Sequence, residues 1–214
     1  MARITVLGGT GYAGGRIARE AVSRGHQVTT VSRGTPSEPI EGAADRTGDV
    51  TDETLLAELL DDADVVVNAL AARGSMVGRV VEVSRTLVRL AAEKGVRLGV
   101  VGGAGVLKVS EDGPRLIDTD GFPEQARPEA SEMIEVLGLL EDSDEALDWF
   151  YVSPAAGFGD FNPGERTGSY RIGGEVLLTD EEGGSDISGD DYALAFVDEI
   201  ETPRHRRARF GVAN

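Results

Sequence analysis

Eight consecutive residues, Gly8-Gly9-Thr10-Gly11-Tyr12-Ala13-Gly14-Gly15, carry the densest chemical signal in the chain. They satisfy two overlapping spacings, GxxGxxG through Gly8, Gly11 and Gly14, and GxGxxG through Gly9, Gly11 and Gly14. Glycines at such intervals let the chain turn sharply, let backbone N–H groups approach a pyrophosphate, and let a helix pack hard on a strand. A helix amino terminus adds unpaired N–H groups and the positive end of its dipole. The pattern alone is weak. Set between an apolar strand and a helical repeat, it points to dinucleotide binding.

Other candidate residues recur where strands should end. Val31-Ser32-Arg33 closes a second apolar run and presents a hydroxyl and a guanidinium, where folds that prefer NAD place a carboxylate for the ribose. Arg33 could pair bidentately with a 2′-phosphate, which favours NADPH over NADH; alternatively it neutralises Glu38 or Glu41. In Gly48-Asp49-Val50-Thr51, Asp49 either accepts a bond from an adenine amino group or caps the next helix. Asn68-Ala69-Leu70-Ala71 and Gly102-Gly103-Ala104-Gly105 offer small residues against which a nicotinamide could lie, although the second run also reads as a flexible turn.

The elements that must position these residues alternate. Strands are expected at Ile4 to Leu7, Val28 to Val31, Asp64 to Asn68, Val96 to Val101 and Asp148 to Val152, with a short third strand before Gly48. Between them, Arg16 to Arg24 turns an apolar face (Ile17, Ala18, Ala21, Val22) away from Arg16, Arg19, Glu20 and Arg24. A second helix, capped by Thr51, carries Leu55, Leu56, Leu59 and Leu60, and helical spacing predicts a third over Met76 to Lys94, closed by Gly95. A fourth lies within Pro128 to Glu141, and Ser188 with Asp191 resembles a capping box opening a fifth through Ile200. Strand–helix alternation predicts an α/β, three-layer, doubly wound parallel sheet, the Rossmann fold. One domain spans 1–214, with a dinucleotide-binding core over 1–152 and a carboxyl-terminal elaboration over 153–214. In that elaboration, Ala156 to Gly189 is dense in glycine and reads as loops and a short hairpin forming a substrate or lid segment, and Arg207 to Val212 as an edge strand.

The glycine loop, Gly48-Asp49-Val50-Thr51, Val101-Gly102-Gly103-Ala104-Gly105 and Ser153-Pro154-Ala155 together resemble the atypical short-chain dehydrogenase/reductases. The nearest branch is the NmrA-like, NAD(P)H-binding group described as NADH-flavin reductases, similar to biliverdin-IXβ/flavin reductase. The resemblance covers essentially the whole chain. It implies that Gly8, Gly9, Thr10, Gly11, Tyr12, Ala13, Ser32, Arg33, Asp49, Val50, Ala69, Leu70, Gly102 and Gly103 line the dinucleotide, with Ser153 and Pro154 near the nicotinamide.

One departure limits the chemistry. Short-chain dehydrogenases donate a proton from a Tyr whose pKa is lowered by a Lys four positions on. Four positions after Tyr12, Tyr151, Tyr170 and Tyr192 stand Arg16, Ala155, Gly174 and Phe196, and the Ser/Thr expected after the fifth strand is replaced by Gly103 and Ala104. What remains is hydride transfer to a small-molecule acceptor that needs little acid–base help, such as a flavin (FMN or FAD) or a quinone. Phe158, Phe161 and Tyr170 either wall that acceptor's site or fill a small satellite core. The alternative is an NmrA-like sensor that binds the dinucleotide without turning it over.

Composition narrows the field further. Of 214 residues, 40% are hydrophobic and 28% charged, an ordinary globular balance, but the net charge is −17. So negative a surface repels phosphate backbones, excluding nucleic acid as the main partner. With no cysteine and only His26 and His205, disulfides, Fe–S clusters, thiol nucleophiles and a histidine-built metal site are excluded, and no metal is expected. Only Lys94 and Lys108 are lysine among 21 basic residues, which fits a protein kept soluble in a salt-rich cytoplasm or, alternatively, a base composition that favours Arg codons. The pairs Asp61-Asp62, Glu181-Glu182 and Asp190-Asp191 read as solvated surface, and Arg204-His205-Arg206-Arg207-Arg209 as pairing with nearby carboxylates. No apolar run approaches a membrane span and the amino end lacks a signal pattern, so the expectation is a cytoplasmic monomer or homodimer.

Overall fold

The structure, a computed structural model, describes residues 1–214. Eight strands form one sheet in the order β3-β2-β1-β4-β5-β6-β8-β7. They are β1 (Arg3–Leu7), β2 (Gln27–Ser32), β3 (Ala43–Thr47), β4 (Val65–Asn68), β5 (Arg97–Val101), β6 (Trp149–Ser153), β7 (Arg171–Gly173) and β8 (Ala208–Ala213). All pair in parallel except β7, which runs antiparallel to β8. The order reverses beside β1: the chain winds outward through β2 and β3, then crosses back to β4 on the other side. Doubly wound sheets bind ligands at the carboxyl ends of strands next to such a switch point.

Helices cover both faces. One layer holds α1 (Tyr12–Ser23) and α5 (Gly189–Glu201); the other holds α2 (Glu53–Asp61), α3 (Val80–Lys94) and α4 (Arg127–Glu141). Each central strand feeds both cores because side chains alternate across a pleat. In β4, Val65 and Val67 pack under α1 and α5, while Val66 packs under α2 and α3. That two-sided burial is why these strands read as unbroken apolar runs. No helix is long and apolar enough to cross a membrane.

Several boundaries differ from the expectation. Apolar spacing ran back to Met76, but α3 starts at Val80, because Gly74 and Gly78 take positive φ (57° and 73°) and Met76 sits in a short 3-10 turn. Helix α2 is capped not by Thr51 but by Asp52, whose side chain accepts from the Thr54 N–H at 2.9 Å. Strand β8 is interior, wedged between β6 and β7; the three-residue β7 takes the edge and is all the regular strand the glycine-rich segment forms. Glu20, expected in solvent, is buried where Arg24 (2.8 Å) and Arg166 (3.2 Å) close over its carboxylate.

Candidate dinucleotide site

The glycine loop is shaped first by the protein's own packing. Gly8 has φ +79°, and a Cβ there would lie 2.7 Å from the Ala69 carbonyl oxygen. Gly9 stands against Thr30, and a Cβ on Gly14 would lie 2.3 Å from the Gly8 carbonyl oxygen, so α1 reaches β1 only because position 14 has no side chain. Gly11 differs. Its nearest neighbour would be the Gly8 carbonyl at 3.2 Å, with nothing else within 4 Å, so its open side is available to an incoming group.

Gly11 is also the N-cap of α1, and no side chain satisfies that helix's first N–H groups. In this acidic chain α2, α3, α4 and α5 all carry a carboxylate in the first turn, and α1 carries none. An uncapped, uncountered amino terminus behind a bare backbone turn is what an anion such as pyrophosphate requires.

Beside it lies a cavity of about 510 Å³ between α1 and the connection from β2 to β3. Of the expected residues, Gly9, Thr10, Gly11, Tyr12, Ser32 and Arg33 line it; Gly8 and Ala13 stand behind the loop, outside the lining. Arg16 and Arg19, read from sequence only as a helix's polar face, line it too, as do Thr35 and Ser37. Arg16 pairs with Asp190 at 3.5 Å and lies over the Tyr12 ring at 4.0 Å. Arg19 and Arg33 have no carboxylate partner in a protein where most arginines do. Arg33 is held by the Ser75 hydroxyl and makes no pair with Glu38 or Glu41. Two acidic groups, Glu38 and Asp45, share the cavity, and Asp45 is engaged by the Thr30 hydroxyl at 2.6 Å.

The remaining candidates follow the carboxyl edge away from this cavity. Asp49 sits in a turn after β3, where the Thr51 N–H and hydroxyl, with the charges of Arg79 and Arg33, hold its carboxyl below the usual range; it precedes α2 without capping it. Val50 is buried in the core. Asn68 fixes the Ala69–Leu70 turn by accepting from the Leu70 N–H and donating to Ser84. Gly103 stands open, with only Met133 at 3.7 Å, whereas Gly102 is filled by the ring of Tyr151. Ser153, fully buried, ends β6 and Pro154, also buried, follows it; the Ser153 hydroxyl has no hydrogen-bond partner.

The three aromatic residues after Pro154 divide. Phe158 packs on Tyr192 (4.4 Å between centroids) and Tyr12 (5.3 Å), and Tyr170 donates to Asp198 at 2.6 Å, so both join the α1–α5 core. Phe161 is 72% exposed. The glycine-rich segment is anchored through Asp191, which is fully buried rather than solvated as its pairing with Asp190 suggested. Its carboxylate accepts from the Thr167 and Gly168 N–H groups, the Thr167 and Ser188 hydroxyls and the Asn214 amide, all at 2.8–3.0 Å. In the basic run, His205, Arg206 and Arg209 do meet carboxylates, but Arg207, at φ 50°, binds the carbonyls of Ser143, Asp144 and Leu147.

Known proteins resemble this arrangement along its whole length. The chain is 40% identical to the uncharacterised protein YwnB of Bacillus subtilis (strain 168), over 99% of this chain and 98% of that one. Among solved structures, a Burkholderia pseudomallei protein provisionally assigned as exported is 41% identical with TM-score 0.88, covering 100% of both chains. A Streptococcus pneumoniae protein provisionally assigned as an NADH-flavin reductase is 33% identical with TM-score 0.85, again over 100% of both. The NAD(P)H-binding family model matches residues 8–203, from the first glycine of the loop to the end of α5 and just beyond. The chain belongs to the NAD(P)H-binding family.

Proposed function

We propose that this protein is an NAD(P)H-dependent oxidoreductase that prefers NADPH and passes hydride to a planar, conjugated small molecule. The observation that carries the reading is that Arg19 and Arg33, neither of them in an ion pair, line one cavity that opens onto the uncapped start of α1. Gly11 and the first N–H groups of α1 would hold the pyrophosphate, and Arg33 with Arg19 the 2′-phosphate, as charge-assisted pairs. Asp49 would receive the adenine amino group, and Gly103, Ala69 and Leu70 would leave room for the nicotinamide half. Bound there, the dinucleotide supplies hydride, and a conjugated acceptor takes its proton from water.

Little in the chain is placed to donate that proton. Tyr151 and Tyr192 are fully buried with hydroxyls on the carbonyls of Met133 and Val152, and Tyr170 is committed to Asp198. The similarity to the Streptococcus protein supports the same class of acceptor. Fluorescence titration with NADPH and NADH, followed by NADPH oxidation with riboflavin, FMN and menadione, tests the proposal. Tighter NADPH binding with turnover of at least one acceptor is expected. Equal affinity for both cofactors would remove the NADPH preference. Tight binding of both redox forms with no turnover would make the protein a dinucleotide sensor instead.

A further inference from the structure

Strands β2 and β4 flank β1, and the three end level: Leu7 is in register with Val31 on one side and with Asn68 on the other. The glycine loop leaves from that end of β1. Just beyond β2, the Arg33 guanidinium donates from Nη1 to the hydroxyl of Ser75, which lies in the turn after β4. The contact therefore spans the carboxyl end of β1 and joins the two segments on either side of the glycine loop. Arg33 lines the cavity beside α1; Ser75 lies outside that lining.

An exposed arginine has many side-chain conformations, and ordering them opposes any bond its guanidinium makes. The Ser75 hydroxyl is the only hydrogen-bond partner of the Arg33 side chain. It is carried on a turn pinned to α4 from both sides. Before Ser75, Arg73 donates to Glu129 at 2.9 Å; after it, the Gly78 N–H donates to the buried Glu132 carboxylate at 2.7 Å. Met76, next to Ser75, is buried in the core beneath α2, α3 and α4, and its N–H donates to the Arg73 carbonyl at 3.1 Å. The hydroxyl thus sits on a fixed backbone and holds a side chain that nothing else holds.

A guanidinium presents its N–H groups in a planar fork. With Nη1 on Ser75, the edge formed by Nε and Nη2 is left without a partner, and that edge matches a phosphate bidentately.

We infer that Ser75 is a positioning residue for NADPH selection: it holds Arg33 so that the free edge of the guanidinium is set for the 2′-phosphate before the cofactor arrives. The inference rests on the NADPH reading and deepens it by naming a residue, outside the cavity, that decides how well the arginine works. Ser75 lowers the ordering cost of binding and adds no contact of its own. Its loss is therefore felt only by the cofactor that uses Arg33.

The test is a double-mutant cycle on the full chain, with NADPH and NADH titrated by fluorescence into wild type, Ser75→Ala, Arg33→Ala and the double variant. Both side chains are exposed, so neither change disturbs the core. Ser75→Ala should weaken NADPH roughly fivefold and leave NADH unchanged. Added to Arg33→Ala, it should change neither cofactor further. Ser75→Thr, which keeps the hydroxyl, should stay within about twofold of wild type. The inference is overturned if Ser75→Ala leaves NADPH binding unchanged or tightens it, or weakens NADPH and NADH alike. It is equally overturned if Ser75→Ala weakens NADPH as much in the Arg33→Ala background, since Ser75 would then touch the cofactor itself. Failure of the two readings is distinguishable. A selective NADPH loss in Arg33→Ala with a silent Ser75→Ala removes the positioning role alone; no selective loss in Arg33→Ala removes the NADPH reading and this inference with it.

Discussion

The ring of Tyr151 occupies the space where Gly102 has no side chain: a Cβ there would lie 2.0 Å from the tyrosine's Cε1. The same tyrosine accepts from the Gly103 N–H at 3.0 Å and donates to the Met133 carbonyl at 3.3 Å. A fully buried side chain from β6 thus sets the turn that ends β5 and ties it to α4. Of two adjacent glycines, one serves packing and the other faces open space. Gly102→Ala should therefore cost about 1–3 kcal/mol of stability by overpacking. Gly103→Ala should stay within about 0.5 kcal/mol of wild type but slow turnover. Urea denaturation of the two variants checks the contrast, and equal stabilities would refute it.

Arg33, just after β2, and Arg19, on α1, line the same cavity. Removing either guanidinium should weaken NADPH binding roughly tenfold while leaving NADH nearly untouched, since one charge-assisted pair to the 2′-phosphate is lost. Titration of Arg33→Ala and Arg19→Ala with both cofactors reads this directly. A parallel loss for NADPH and NADH would assign the arginines to the shared pyrophosphate.

Asp191 joins the start of α5 to Thr167, Gly168 and Asn214. Burial raises its carboxyl, but the donors from Thr167, Ser188, Gly168 and Asn214 together outweigh it and hold the group below the usual carboxylate range. A depressed folded-state pKa means that its contribution is complete above about pH 4 and is lost as the pH falls through the folded value. Asp191→Asn should destabilise the protein by about 1–3 kcal/mol at pH 7, and the difference from wild type should shrink below about pH 4. A gap independent of pH would show that charge is not what the hub uses.

The net charge of −17 makes a prediction about salt. If self-repulsion limits stability, Tm should rise by several degrees as KCl goes from about 0.1 M to about 2 M, because salt screens like charges. A Tm that is flat or falling over that range would mean that the acidic bias reflects something other than a salt-rich setting.

Much of the site was legible in the chain because its signals are local. Gly8, Gly11 and Gly14 lie within one turn, and the apolar runs that end at Leu7, Val31, Asn68 and Val101 mark the sheet edge where they gather. Arg16 and Arg19 were harder. Helical spacing puts them on α1's polar face, but they line the cavity only because the β2–β3 connection folds back over that face. Asp191 stands apart from Asp190 in the sequence only by its spacing from Ser188, which the structure forms as a cap; that it is buried under Thr167 and Asn214 is decided by segments far away in the chain. Helix α3 was overextended because apolar spacing passes through Gly78, whose φ of 73° is set by the turn it makes.

The sequence by itself determined the strand–helix alternation, the parallel sheet and the bare glycine turn that starts α1, all of which depend on periodicity and backbone freedom within a dozen residues. Only the tertiary structure decided that Gly102 makes room for Tyr151, that β8 lies inside the sheet with β7 outside it, and that Phe158 and Tyr170 are core while Phe161 is surface. Those outcomes depend on which distant segments fill the same space, and packing at that range leaves no trace in local spacing.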